Sequence, residues 1–81
     1  MDVFLYGRLA DRIGRQVTVD LPPEGCSVAQ LRELIAGRYP EARRDILGPR
    51  VRACVDDVVV ADVQPIRAGQ SVEFFPPVSG G

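Results

Sequence analysis

The chain has no histidine, no tryptophan and no lysine. Without histidine it lacks the commonest general base and the commonest metal ligand at neutral pH. A Ser-His or Cys-His nucleophile pair is therefore excluded. The two cysteines, Cys26 and Cys54, lie far apart and form no CxxC pair. They are too few for a zinc or iron–sulfur site and read as small, at least partly buried, reduced thiols of a cytoplasmic domain. No stretch approaches the ~18–20 apolar residues that a membrane span needs, and no signal-peptide pattern is present. No glycine-rich phosphate loop precedes a helix. The net charge is −1, with acids and bases spread along the chain. That balance argues against a nucleic-acid or membrane-surface protein, which would carry a basic stripe. The most visible carboxylate pair, Asp56-Asp57, sits between two apolar runs and reads as a turn. These absences disfavour a stand-alone enzyme. They also leave the N-terminal amine as the sole primary amine, because all ten basic residues are arginine.

What is present describes one small domain. Its 81 residues leave little room for two cores, and 46% hydrophobic content with 26% charge is ordinary for a globular chain. "DVFLYG" (2–7) predicts a strand stopped by Gly7. Leu9 and Ile13, at i and i+4, predict a short helix closed by Gly14. "RQVTVDL" alternates, with Val17, Val19 and Leu21 on one face, and Pro22-Pro23 ends it. The main helix is predicted over about 28–39. Ser27 and Gln30 form a capping box ahead of an apolar stripe of Val28, Leu31, Leu34 and Ile35, with Arg32, Glu33 and Arg38 facing out. Pro40 bars its continuation. "EARRDILG" predicts one more turn with Ile46 and Leu47 tucked in. "RVRACVDDVVVA" predicts a hairpin turning at Asp56-Asp57, and "DVQPIRAG" a loop that buries Ile66. "SVEFF" (71–75) is the last strand, stopped by Pro76. One four-to-five-stranded sheet with a helix across one face follows, an α+β fold.

The chain finishes on "FFPPVSGG", an apolar, proline-stiffened run ahead of two glycines. Together with "GQSVEFFPPVSGG" and the opening "VFLYGRLADRIG", it resembles the small subunit of molybdopterin synthase, a ubiquitin-like sulfur carrier. The resemblance covers Val3 to Gly81 and is sharpest at 72–81. Asp56-Asp57 and Gln70 depart from the family's usual turn residues, Asn-containing and Asp respectively. The resemblance implies a β-grasp domain over 1–75, with a mixed sheet and its final strand parallel to its first. It implies an extended Gly-Gly tail over 76–81.

It further implies that Gly81 is the working residue. An ATP-dependent, ubiquitin-activating-type enzyme adenylates its carboxylate, and a sulfur donor enzyme then supplies sulfur to give a thiocarboxylate. The tail inserts into the large subunit of molybdopterin synthase and donates sulfur to a cyclic pyranopterin monophosphate. On this reading the chain binds no cofactor of its own, and ATP is consumed by the partner. Pro76, Pro77, Val78, Ser79 and Gly80 thread the partner's channel. The prolines lower the entropy lost on threading, and the glycines fit where a Cβ would not. A carrier for thiamine or another thio-cofactor, a protein modifier conjugated through Gly81, and a plain binding module with an idle tail stay open as alternatives.

Strand alternation adds a partner surface. With Val3 and Leu5 facing in, Phe4 and Tyr6 face out; with Val72 and Phe74 facing in, Phe75 faces out. On adjacent parallel strands, Phe4, Tyr6 and Phe75 would share one exposed face, as expected of an interface.

Overall fold

A computed structural model of the chain describes residues 1–76; the tail positions Pro77, Val78, Ser79, Gly80 and Gly81 lie outside the described residues. In chain order the elements are β1 (Asp2–Leu5), α1 (Arg8–Ile13), β2 (Gln16–Thr18), β3 (Cys26–Ser27) and α2 (Val28–Arg38). A 3₁₀ turn at Pro40–Ala42 leads into α3 (Arg43–Ile46). There follow β4 (Arg52–Val55), β5 (Val58–Val60), β6 (Pro65–Ile66) and β7 (Val72–Phe75).

Five strands form one sheet in the order β2-β1-β7-β4-β5. β7 lies at its centre, parallel to β1 and antiparallel to β4. First and last strands paired in parallel at the centre, with one main helix over one face, make this the β-grasp, ubiquitin-like fold. The strand alternation holds in register. Val3, Leu5, Val72 and Phe74 are fully or almost fully buried, as are Ala53 and Val55 on β4. Two short strands, β3 and β6, pair with each other apart from the main sheet. A two-residue pairing has no periodicity to betray it, so 26–27 and 65–66 read as loop in the sequence. They set the start of α2, since the Val28 and Ala29 amides donate to the Gln64 and Asp62 carbonyls. The predicted burial of Ile66 holds.

The hairpin turn is at Asp56-Asp57, both residues in the left-handed region with φ of 49° and 69°. That is the backbone of a two-residue primed turn, and Asp tolerates it better than most residues with a Cβ. The Asp56 carboxylate ties the turn to the last loop. It accepts from the Ser71 amide at 3.0 Å and from Gln70 Nε2 at 3.0 Å.

α2 carries the capping box as expected: Gln30 N–H donates to Ser27 Oγ and Ser27 N–H donates to Gln30 Oε1. Its apolar stripe requires a correction. The buried positions are Val28, Leu31, Arg32, Ile35 and Ala36, while Leu34 is 37% exposed. At about 100° per residue, Arg32 falls about 40° round from Val28. That places it between Val28 and Ala36, inside the covered arc that runs from Leu31 to Ala36, whereas Leu34 falls just outside it. Arg32 is tolerated there because its donors are satisfied. Nε donates to Asp62 Oδ1 at 3.0 Å, Nη1 to the Ile46 carbonyl at 2.7 Å and Nη2 to the Val51 carbonyl at 2.5 Å. Its guanidinium also lies 5.2 Å from the Phe74 ring centroid, a cation–π distance. One arginine thus clasps the helix, the segment after α3 and the central strand. Among the described residues no helix is long and apolar enough to cross a membrane.

Candidate functional site

The solvent-facing side of the sheet can be read row by row from the register. Gln16 lies opposite Phe4, Phe4 opposite Glu73, Glu73 opposite Cys54, and Cys54 opposite Val59. This single row crosses all five strands. One step along, Phe75 lies opposite Arg52, and the Tyr6 amide donates to the Phe74 carbonyl at 3.2 Å, extending the β1–β7 ladder. Phe4 and Tyr6 are 37% and 48% exposed. Phe75, expected to be exposed, is half-buried instead. It lies on the central strand, opposite Arg52 of β4.

Glu73 organises the polar part of this face. Tyr6 Oη donates to Glu73 Oε2 at 2.7 Å. That hydrogen bond, with the nearby negative charge, raises the Tyr6 phenol above its ordinary range, so Tyr6 is a donor at neutral pH. Cys54 is pushed up as well, chiefly by burial and then by the charges of Glu73 and Asp57. Burial likewise raises the Cys26 thiol. Both therefore stay thiols at neutral pH rather than nucleophilic thiolates. Among the described residues no group of three or more Cys, Asp or Glu is arranged to hold a metal. The face offers apolar area, a phenol donor and a carboxylate. That is recognition chemistry, with no activated nucleophile in it.

The root of the tail is built by a contact that sequence reasoning missed. Gly7 follows β1 and opens α1 with φ of +63°, a conformation that favours glycine. A Cβ at Gly7 would lie 2.7 Å from Pro76 Cγ. The chain leaving β7 thus lies directly on the Gly7 backbone, beside Tyr6. A glycine between a strand and a helix is a visible signal, but it reads simply as a strand stop until Pro76 is brought against it. Of the residues expected to carry function, the fold brings Phe4, Tyr6, Phe75 and Pro76 to one end of the central strand pair. Pro77, Val78, Ser79, Gly80 and Gly81 are outside the described residues.

The ThiS family model matches residues 3–81. No curated protein matches the chain. Among solved structures, the chain is similar to SAMP1 from Haloferax volcanii, with a TM-score of 0.84 and 24% identity over 99% of this chain and 97% of that one. A Pyrococcus furiosus protein provisionally named molybdopterin converting factor, subunit 1, has a TM-score of 0.78 and 24% identity over 95% of each chain. The HVO 2177 protein of Haloferax volcanii has a TM-score of 0.71 and 15% identity, over 99% of this chain and 84% of that one. At these identities the likeness is one of fold.

Proposed function

The chain belongs to the ThiS family, and from that premise we propose that it is a sulfur carrier whose working group is the Gly81 carboxylate, serving as the small subunit of molybdopterin synthase. The observation that carries the reading is the family match running through residue 81, on a fold whose central strand ends at Phe75. Residues 76–81 then follow a strand flanked by Phe4 and Tyr6. Six residues reach at most about 20 Å when extended, enough to enter a neighbouring active site.

The chemistry explains why the domain needs no catalytic side chain. An α-carboxyl with a pKa of ~3.3–3.7 is an anion at neutral pH and a poor electrophile. An activating enzyme joins it to the α-phosphate of ATP and releases pyrophosphate. A sulfur nucleophile from a donor enzyme then displaces AMP and leaves a thiocarboxylate. The large synthase subunit takes the tail, and the sulfur passes to a cyclic pyranopterin monophosphate while water cleaves the acyl C–S bond and restores the Gly81 carboxylate. The double proline and the likeness to a molybdopterin converting factor fold support this pathway over a thiamine carrier. The fold likeness to SAMP1, described in a second structure as a small archaeal modifier protein, supports a second reading: a protein modifier conjugated through Gly81. In that case isopeptide adducts must form on a partner's lysines, because this chain has no side-chain amine.

Intact mass of the protein from its native host tests the proposal. A thiocarboxylate adds about 16 Da, as does a sulfenic acid on Cys26 or Cys54, so fragmentation must place the increment on Gly81. Deleting Gly81, or adding one residue after it, should abolish sulfur transfer to the pterin precursor and leave the melting temperature nearly unchanged. A misplacement of ~1 Å already costs ~100-fold in rate. Full transfer by a chain lacking Gly81 would end the sulfur-carrier reading, and isopeptide-linked products in cells would favour the modifier.

A further inference from the structure

A groove of about 570 Å³ opens beside the root of the tail. Its apolar lining includes Leu9, Val51 and Pro76, and three arginines, Arg8, Arg44 and Arg50, line it as well. All three are exposed. The one carboxylate there, Asp45, is already engaged by Arg12 at 2.6 Å and Arg8 at 3.9 Å. Arg44 and Arg50 have no carboxylate partner among the described residues. Two exposed arginines without a carboxylate partner among the described residues thus border one apolar groove.

We propose that this groove docks an acidic segment of a protein partner, with carboxylates on Arg44 and Arg50 and an apolar side chain against Val51 and Pro76. Charge complementarity selects the occupant: a guanidinium presents a planar fork that fits a carboxylate in two-point contact. The apolar lining distinguishes such a segment from a free anion. Which partner bears it rests on the sulfur-carrier proposal. Pro76 belongs to both groove and tail root, so the enzyme that receives Gly81 is the one positioned to grip here. Exposed ion pairs are individually weak and are screened by salt. They speed encounter more than they tighten the complex, which suits a carrier that must visit one enzyme and leave for another.

The test uses the full chain labelled with ¹⁵N and titrated with a synthetic peptide of alternating glutamate and leucine, beside the same peptide with lysine replacing glutamate. The acidic peptide should shift the amides of Leu9, Gly48 and Val51 and the arginine Nε–H signals, and should bind more weakly as salt rises. Arg44→Glu with Arg50→Glu should weaken it at least about tenfold, the effect expected of two exposed pairs lost together. Arg44→Gln with Arg50→Gln should give an intermediate loss, with the rest of the spectrum unchanged in both. Absent groove shifts, or equal shifts from the lysine peptide, would overturn the proposal. So would concentration-dependent groove shifts in the free chain, which would make a second copy the occupant. Nuclear Overhauser contacts from residues 78–81 would make it the tail, and tighter binding of a short RNA than of the peptide would make it a nucleic acid. A protein that binds the peptide but never carries a thiocarboxylate would keep the groove and lose only the choice of partner.

Discussion

Phe74 and Phe75 are neighbours on the central strand, yet they meet opposite surroundings. Phe74 points under the sheet and is fully buried, with Arg32 against its ring. Phe75 points to the other side and is half-buried, in the neighbourhood of Phe4 and Tyr6. On β1 the same parity separates Val3 and Leu5, at 0% and 1% exposure, from Phe4 at 37%. Both faces carry apolar side chains, but the outer one mixes them with Gln16, Glu73 and Arg52, and α2 covers only the inner one. The inner face contributes to stability through burial, because area removed from water is worth about 25 cal/mol per Å². The outer face retains exposed aromatic area at Phe4 and Tyr6, which on the sulfur-carrier proposal a partner buries. Aromatic residues there are compatible with a carrier that must be stable alone and still bind.

The largest effect on stability should come from the inner face. Phe74→Ala should cost about 3–5 kcal/mol in urea unfolding, since it removes a fully buried ring and leaves a cavity. A loss similar to that of a surface substitution would show that the two faces are not distinguished by cover.

Next comes the pair that crosses the edge of the covered arc on α2. Arg32→Ala should cost about 2–4 kcal/mol, because the Ile46 and Val51 carbonyls lose their partner and an unmet buried acceptor costs about 1–3 kcal/mol. Leu34→Ala should cost less than Arg32→Ala, about 1 kcal/mol, as expected of a side chain that keeps 37% of its surface in water. Reversal of that order in denaturant melts would return Leu34 to the core and Arg32 to the surface.

On the outer face, Phe4→Ala should change stability by less than about 1 kcal/mol. On the sulfur-carrier proposal it should weaken binding of the large synthase subunit about tenfold, or ~1.4 kcal/mol. Calorimetry on the same variant reads both quantities. Lost stability with unchanged binding would make the face part of the fold rather than an interface.

The smallest effect lies at the hairpin turn. Hydrogen bonds from the Ser71 amide and Gln70 hold the Asp56 carboxyl below its ordinary value. A folded-state pKa below the unfolded one gives stability that is present above the unfolded value, about 3.9, and is lost as pH falls through the folded one. Acid titration of Asp56→Asn should therefore show a shallower decline below about pH 4 than the parent. An unchanged slope would mean that the turn does not hold its carboxylate.

The five strands of the main sheet, the capped helix and the inward set Val3, Leu5, Val72 and Phe74 were legible because period-2 alternation and a capping box are local signals, carried by residues within a few positions of one another. Pro76 ending the last strand and Asp56-Asp57 turning the hairpin were legible for the same reason. The resemblance at 72–81 pointed to Gly81 without any structure at all. What the sequence could not announce depends on distant segments meeting. Arg32 reads as an outward-facing charge until the carbonyls of Ile46 and Val51 arrive to satisfy it. Leu34 reads as core until the covered arc of the helix is known. Gly7 reads as a strand stop until Pro76 lies on its backbone. Arg8, Arg44 and Arg50 are scattered charges until the fold gathers them around one groove. Local periodicity is written into a few consecutive side chains, whereas burial of a polar group is decided by whether the tertiary structure supplies its partners.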